Sequence, residues 1–301
     1  MPAQAYAYRS WWAKTLLHAF FIALMLLYIL PLMLIVSVSL TPEKDVLTGG
    51  YGLIPARLTL SAYRALFSMP GKIGSAYLVT LAESVLRTGG ALLVQGMAAY
   101  PLARPQFRYK RLFMRFYLLT MLFGPSVFAS YIVNCNVYHL NNSFAIYVVP
   151  ALAATGNVMV LRVFFKSLPE SLFDAAKIDG ASELRTFATI AVPLSAAAFA
   201  TYGFFMFIAN WNDYMTSMIY IRNTSLYTIQ YYLKRILNEE EMLRSLSEKG
   251  VMGELGRTAR EAVPTETLKY AIVVSAMVPV LGIFPFFQKY MTKGIMVGSF
   301  R

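Results

Sequence analysis

The stretch Ser167–Leu194, SLPESLFDAAKIDGASELRTFATIAVPL, is charged and carefully punctuated, yet it lies between two long apolar runs. Ser167 followed three residues later by Glu170 fits a capping box, and Pro169 suits a first turn. This predicts a helix over Glu170–Ile178. Ala175 and Ala176 give that helix a short face almost without side chains, open to close approach by another surface, and Asp174 beside them offers an acceptor to a cation or backbone N–H. Gly180 ends the helix because a left-handed residue there costs glycine nothing. Ser182 caps a second helix that carries Arg185, Phe187, Ile190 and Val192, reaches Pro193 and runs on into an apolar span. The pattern predicts a helix–turn–helix fused to a membrane helix, a lever at the water boundary rather than a connector.

Working outward, the chain of 301 residues is 57% hydrophobic and 14% charged, against about 25% charged in a soluble domain. A helical span needs roughly 20 apolar residues. Windows of that kind occur at about 15–40, 73–102, 112–133, 143–165, 187–209 and 268–290. These predict an all-α integral membrane protein with six transmembrane helices in a single permease-like domain over 1–301. Pro31, Pro125, Pro150, Pro193 and Pro279 predict kinks. The first window is too long for a signal-peptide h-region, and Trp11 and Trp12 after Arg9 suit an interfacial anchor. Thr41–Lys72, rich in Gly and Pro, is expected to be irregular. The large loop over 211–267 holds Ile229, Leu233, Ile236, Leu237, Leu243 and Leu246 near helical spacing, which predicts an amphipathic helix.

The 27 Lys and Arg against 15 Asp and Glu leave a formal charge of +12. For a soluble protein that would suggest nucleic acid. Here the cations concentrate on one side of the predicted topology, in Arg104–Arg115, Arg162–Arg185 and the two ends, so the positive-inside rule accounts for them without a nucleic-acid partner. It places Ser167–Leu194 and both termini in the cytoplasm and the 211–267 loop outside. The single Cys and two His form no metal-ligand pattern, and no metal or cofactor is expected on this chain.

Several polar groups inside or at the ends of spans are candidates for a solute pathway. Glu83 and Arg87, four apart, share a helical face and are expected to pair. A structural ion pair and a pathway or gate role both fit them. Asn134, Asn136, Tyr138 and Asn157 fall near the ends of spans three and four. Asn210, Trp211, Asn212 and Asp213 close span five. Amides bond sugar hydroxyls and aromatic faces stack on pyranose rings, but the same residues serve as helix caps and interface anchors.

The order Asp174-Ala175-Ala176, three residues, Gly180, then Phe187, Ile190, Val192 and Pro193 resembles the coupling motif of ATP-binding-cassette importer permeases, with Asp where Glu is usual. Trp211-Asn212-Asp213-Tyr214 resembles the Trp-Asn-Glu/Asp step of the carbohydrate-uptake group. Pro285-Phe286-Phe287-Gln288-Lys289-Tyr290 with Lys293–Ser299 is similar to that group's C-terminus. Val263-Pro264-Thr265-Glu266-Thr267-Leu268-Lys269 is similar to its polysaccharide and oligosaccharide branch, which includes second permease subunits of bacterial alginate importers. The resemblance implies a type I importer permease of the maltose type in a bacterial inner membrane. It implies a heterodimer with a second, related permease, two ATPase subunits that carry ATP and Mg, an extracytoplasmic solute-binding protein and a sugar substrate. It makes Glu170, Asp174, Ala175, Ala176, Gly180, Ser182 and Arg185 the ATPase-coupling residues and leaves this chain without catalytic work. No P-loop GxxxxGK[ST] occurs in the sequence. The competing readings are a permease of the same design for a non-sugar solute, a membrane scaffold or sensor, and an intramembrane enzyme. The last lacks an HExxH or a paired aspartate dyad.

Overall fold

The computed structural model describes residues 11–55, 57–68, 72–124, 126–248 and 266–297, and all regular structure among them is helical. The expected kink at Pro125, the Val263–Thr265 step and the last residues of the C-terminal motif lie outside the described residues. The elements run α1 (Trp11–Ser39), α2 (Glu43–Gly49), α3 (Ser61–Ser68), α4 (Lys72–Ala103), α5 (Lys110–Leu122) and α6 (Val127–Ile132), which continues as a π-helical turn over Val133–Val137. Next come α7 (Ala145–Val148), a 3₁₀ segment (Val149–Ala153), α8 (Thr155–Lys166), α9 (Glu170–Ile178) and α10 (Glu183–Thr186) with a π-helical turn over Phe187–Ala191. Then follow α11 (Val192–Leu194), α12 (Ala196–Trp211), α13 (Met215–Tyr220), α14 (Ile229–Glu248) and α15 (Glu266–Val297).

All six apolar windows are helical, but in two ways. The helices α1, α4 and α15 are each long and apolar enough to cross a membrane unbroken. The other three windows are pairs: α5 with α6, α7 with α8 bent by 52°, and the α10–α11 segment with α12 bent by 80°. Proline alone does not decide where a helix breaks. Pro31, Pro101, Pro279 and Pro285 sit inside unbroken helices, whereas Pro150 lies in the 3₁₀ segment and Pro193 two residues ahead of the 80° bend. The expected lever is therefore cranked rather than straight, since the chain turns at Ser195 before α12 begins.

The chain divides into two compact units. The first comprises 1–69 and 238–275. Within it α1 is apolar all round and almost wholly exposed, with only Ser37, Val38 and Ser39 buried. Such a helix needs lipid or another protein around it. The stretch expected to be irregular holds α2 and α3, tied down by Ser37 Oγ donating to Gly52 O (2.7 Å) and by Ser39 Oγ and Tyr63 OH at 2.8 Å. Glu43 accepts from the Glu266 and Thr267 amides (3.0 and 2.9 Å) and from Thr267 Oγ1 (2.8 Å). It thereby satisfies orphan donors at the start of α15, where a carboxylate also suits the helix dipole.

The second unit comprises 70–237 and 276–301 and is built around α4, which packs chiefly against α8 and α12. Small residues set those contacts. A Cβ on Gly203 of α12 would stand 2.9 Å from Leu92 Cδ1, and one on Gly96 of α4 would stand 3.1 Å from the Phe199 ring. Close backbone approach of this kind is how helices pack in lipid, where burial of apolar surface gives little. Gln95 crosses from α4 to the 3₁₀ segment, donating to Ala151 O at 2.7 Å. The amphipathic pattern of the large loop forms α14, with Ile229 and Ile236 buried and Leu237 exposed.

Candidate functional site

Two groups of residues carry chemistry, both in the second unit. The first is the element over 167–186. The helix α9 spans Glu170–Ile178 as the sequence predicts, and Gly180 has φ +71, the left-handed turn expected of it. Ser182 caps α10, accepting from the Arg185 amide at 3.3 Å. The capping box does not form. Ser167 Oγ instead donates back to Phe164 O (2.7 Å) and closes α8, while Pro169 precedes α9 without a side-chain cap. Proline has no side-chain acceptor to offer the first amides of α9.

The two alanines of the motif face opposite ways. Ala176 is buried with Phe173, three residues back on the same face, while Asp174, Ala175 and Lys177 are exposed. The smooth outer face is thus Ala175 alone, flanked by Asp174. Ile178 on α9 and Leu184 on α10, 86% and 63% exposed, stand out as apolar knobs.

Inward, Phe173 enters an aromatic cluster. Tyr100 of α4 lies 6.0 Å from the Phe173 ring, 6.0 Å from Phe165 of α8 and 5.6 Å from Phe187, and Phe165 lies 5.6 Å from Phe199 of α12. Arg104, just past the end of α4, places its guanidinium 3.8 Å from the Phe173 centroid and 3.9 Å from the Glu170 carboxylate. Tyr100 OH donates to Glu183 at 3.0 Å. Arg162 Nε donates to Leu102 O at 3.0 Å, satisfying a carbonyl at the C-terminal end of α4. The sequence reading missed Phe173, Tyr100 and Arg104 as parts of this site. For Phe173 the signal was present, since an aromatic at i with Ala at i+3 marks the inward face.

The second group surrounds Glu83 and Arg87 on α4. They are 3.9 Å apart, beyond a hydrogen bond, and the shorter partnership is elsewhere: Arg87 Nη1 donates to Asp213 Oδ2 at 2.6 Å. Asp213 also accepts from the Thr216 amide (3.1 Å) and Thr216 Oγ1 (2.7 Å) at the start of α13. Burial alone would raise the Asp213 carboxyl, but the hydrogen bonds from Arg87 and Thr216 outweigh it and hold the group below the usual carboxylate range. Glu83 is fully buried, and neither of its carboxyl oxygens has a hydrogen-bond partner.

The neighbouring candidates are engaged by the fold. Asn210 donates to Thr88 Oγ1 at 2.9 Å, and Trp211 is buried, donating Nε1–H to Ala276 O at 3.0 Å and stacking on Phe207. Asn212 donates to Ile208 O and accepts from Gln230. Asn134 is buried and donates to Tyr220 OH at 3.2 Å, and Asn157 accepts from Tyr202 OH. Asn136 and Tyr138 are exposed on the π-helical turn and just beyond it. Of the residues nominated from the sequence, only Glu83, Arg87 and Asp213 come together as a charged cluster. Among the described residues no group of His, Cys, Asp and Glu could hold a metal ion.

Comparison with known proteins gives these two groups a context. A family model described as the binding-protein-dependent transport system inner membrane component matches residues 91–297. The polygalacturonan/rhamnogalacturonan transport system permease protein YtcP of Bacillus subtilis is 31% identical over 95% of this chain and 97% of its own. The arabinooligosaccharides transport system permease protein AraQ of the same organism is 26% identical over 95% of each chain. A chain from the crystal structure of a bacterial ABC transporter involved in the import of the acidic polysaccharide alginate superposes with a TM-score of 0.79, covering 96% of this chain and 99% of that one at 24% identity. The helical architecture is that of a type I importer permease, and the chain belongs to the family of inner membrane components of binding-protein-dependent transport systems.

Proposed function

We propose that this chain is one of two related permease subunits of an ATP-driven importer for oligosaccharides or polysaccharides, uronate-containing chains such as alginate included. In this reading the whole of 1–301 acts as a single transmembrane domain with both termini in the cytoplasm. ATP and Mg bind to two separate ATPase subunits, a solute-binding protein delivers the sugar at the outer face, and the chain performs no chemistry. The substrate class is supported by the relatives, which are named for polygalacturonan, rhamnogalacturonan and arabinooligosaccharide transport.

Residues 167–186 form the part that touches the ATPase. The observation that carries this is the two-sided build of α9. Phe173 and Ala176 are buried on one face of α9, while Ala175 and the apolar Ile178 face outward. Exposed apolar knobs on a short polar helix are what a protein partner covers. Ala175 is the position to test, because a change at the buried Ala176 would disturb the permease itself.

In the assembled transporter, Ala175→Trp is expected to abolish uptake while the complex still inserts. Ala175→Cys is expected to cross-link to a cysteine introduced in the ATPase cleft. Normal uptake by Ala175→Trp in a verified complex would refute the coupling role. Uptake measured with oligogalacturonates, oligoalginates and neutral arabino-oligosaccharides decides the substrate, and transport of none of them would refute the sugar assignment.

A further inference from the structure

The coupling element is held to the end of α4 by two polar contacts that flank the Tyr100, Phe173 and Phe187 aromatic cluster. Arg104 grips α9, stacking on Phe173 and reaching Glu170. Tyr100, buried and one turn earlier, grips α10 through Glu183. Between the grips Phe173 and Phe187 are buried against Tyr100, and close-packed interiors move as a block. Beside them a cleft of about 490 Å³, open to solvent, is lined by Met97, Pro101, Phe107, Lys177, Leu184 and Phe187 among others. The left-handed Gly180 lies between the two gripped segments.

We propose that Tyr100 and Arg104 are positioning residues that convert a displacement of the coupling element into a movement of α4. This rests on the reading of 167–186 as the ATPase contact. The helix they would move is the one that carries Arg87, 17 residues before Arg104 and so about 25 Å away at 1.5 Å per residue. Arg87 holds Asp213 just beyond α12, so a push on α4 bears directly on its junction with α12. Arg104 suits the task because a planar guanidinium stacks on a ring while it faces a carboxylate. A lysine would keep the charge and lose the plane.

The test uses the complete transporter, with both permeases, the ATPases and the binding protein, in proteoliposomes. Sugar taken up per ATP hydrolysed is measured together with cross-linking of Ala175→Cys to the ATPase. For Arg104→Ala the cross-link and ATP hydrolysis are expected to persist while uptake per ATP falls about tenfold, the scale of a lost desolvated cation–π contact. Arg104→Lys is expected to fall about threefold, and Tyr100→Phe, which loses only the hydroxyl, about as much. An unchanged ratio in Arg104→Ala with the cross-link intact overturns the proposal. So does a parallel loss of uptake and hydrolysis, which would mark a merely structural contact. Where Arg104→Ala fails to assemble, Tyr100→Phe decides alone, and an unchanged ratio there overturns the proposal. Absence of the cross-link when the other residues are native would instead remove the underlying coupling reading.

Discussion

Asp213→Asn and Glu83→Gln each remove one negative charge from the neighbourhood of Arg87, yet the structure predicts different costs. Asp213 accepts from Arg87 at 2.6 Å, and the two side chains are 15% and 22% exposed. A hydrogen bond to a charged group contributes roughly 1.5–3 kcal/mol net. Part of that is recovered in Asp213→Asn, because Glu83 stands 3.9 Å from the same guanidinium. The expected loss is therefore about 1–2 kcal/mol. Glu83 makes no hydrogen bond of its own and is fully buried, so Glu83→Gln exchanges one unpaired buried polar group for another of the same size. It is expected to be close to neutral. Combining the two removes both the partner and its substitute. The double variant should then lose about 1 kcal/mol more than the sum of the singles.

Reversible unfolding of the purified permease pair in mixed micelles measures all four corners of this cycle. The Asp213 carboxyl is held below its ordinary value, so its contribution is present above the unfolded carboxylate pKa of about 3.9 and is lost only as pH falls through the lower folded value. Wild type should accordingly keep the Asp213 contribution down to about pH 5 and lose it only in stronger acid. A Glu83→Gln variant that loses as much as Asp213→Asn, with additive costs, would refute the assignment of Asp213 as the working partner.

Two further substitutions test the backbone and the packing. Gly203→Val forces side-chain atoms into Leu92, whose Cδ1 already lies 2.9 Å from the site of a Cβ. It should destabilise the α4–α12 contact by about 1–3 kcal/mol, whereas Gly203→Ala with Leu92→Ala should recover most of that loss in the same unfolding assay. At Gly180 there is open space but φ is +71, so the cost of a side chain is conformational. Gly180→Val is expected to lose about 1–2 kcal/mol and to reduce uptake, while Gly180→Asn, which tolerates the left-handed region, should stay close to wild type.

Much of this fold is legible in the sequence because a span is announced by a local quantity, the length of an apolar run. Direction is not local in that sense. The 80° turn at Ser195 and the 52° turn between α7 and α8 occur where hydropathy continues almost unbroken, so the windows locate the helices and conceal their bends. The coupling element divides along the same line. Its start, its glycine turn and the Ser182 cap follow from single residues with strong backbone preferences. Which alanine faces in depends on Phe173 finding Tyr100, a contact across 73 positions. The i,i+4 spacing placed Glu83 within reach of Arg87, but the partner that accepts its proton donors lies 126 positions away. For the same reason Tyr100 and Arg104 read in sequence as an ordinary helix end with a cation.

The charge of the α4 cluster bears on how an acidic sugar chain would be selected. Arg87 is the residue a uronate would seek, yet it faces Asp213 at 2.6 Å and Glu83 at 3.9 Å. Arg87 is already committed to the Asp213 carboxylate, which offsets its charge, so a carboxylated chain passing it would find no free cation there. Coulomb energies grow as the local dielectric falls, which makes such a cluster a poor docking point and a good tie between helices. Under the proposed function, recognition of a uronate carboxylate would therefore fall to groups other than Arg87 in this conformation. The residues that end α12 are already engaged: Asn210 ties it to α4 through Thr88, and Trp211 ties it to α15 through Ala276.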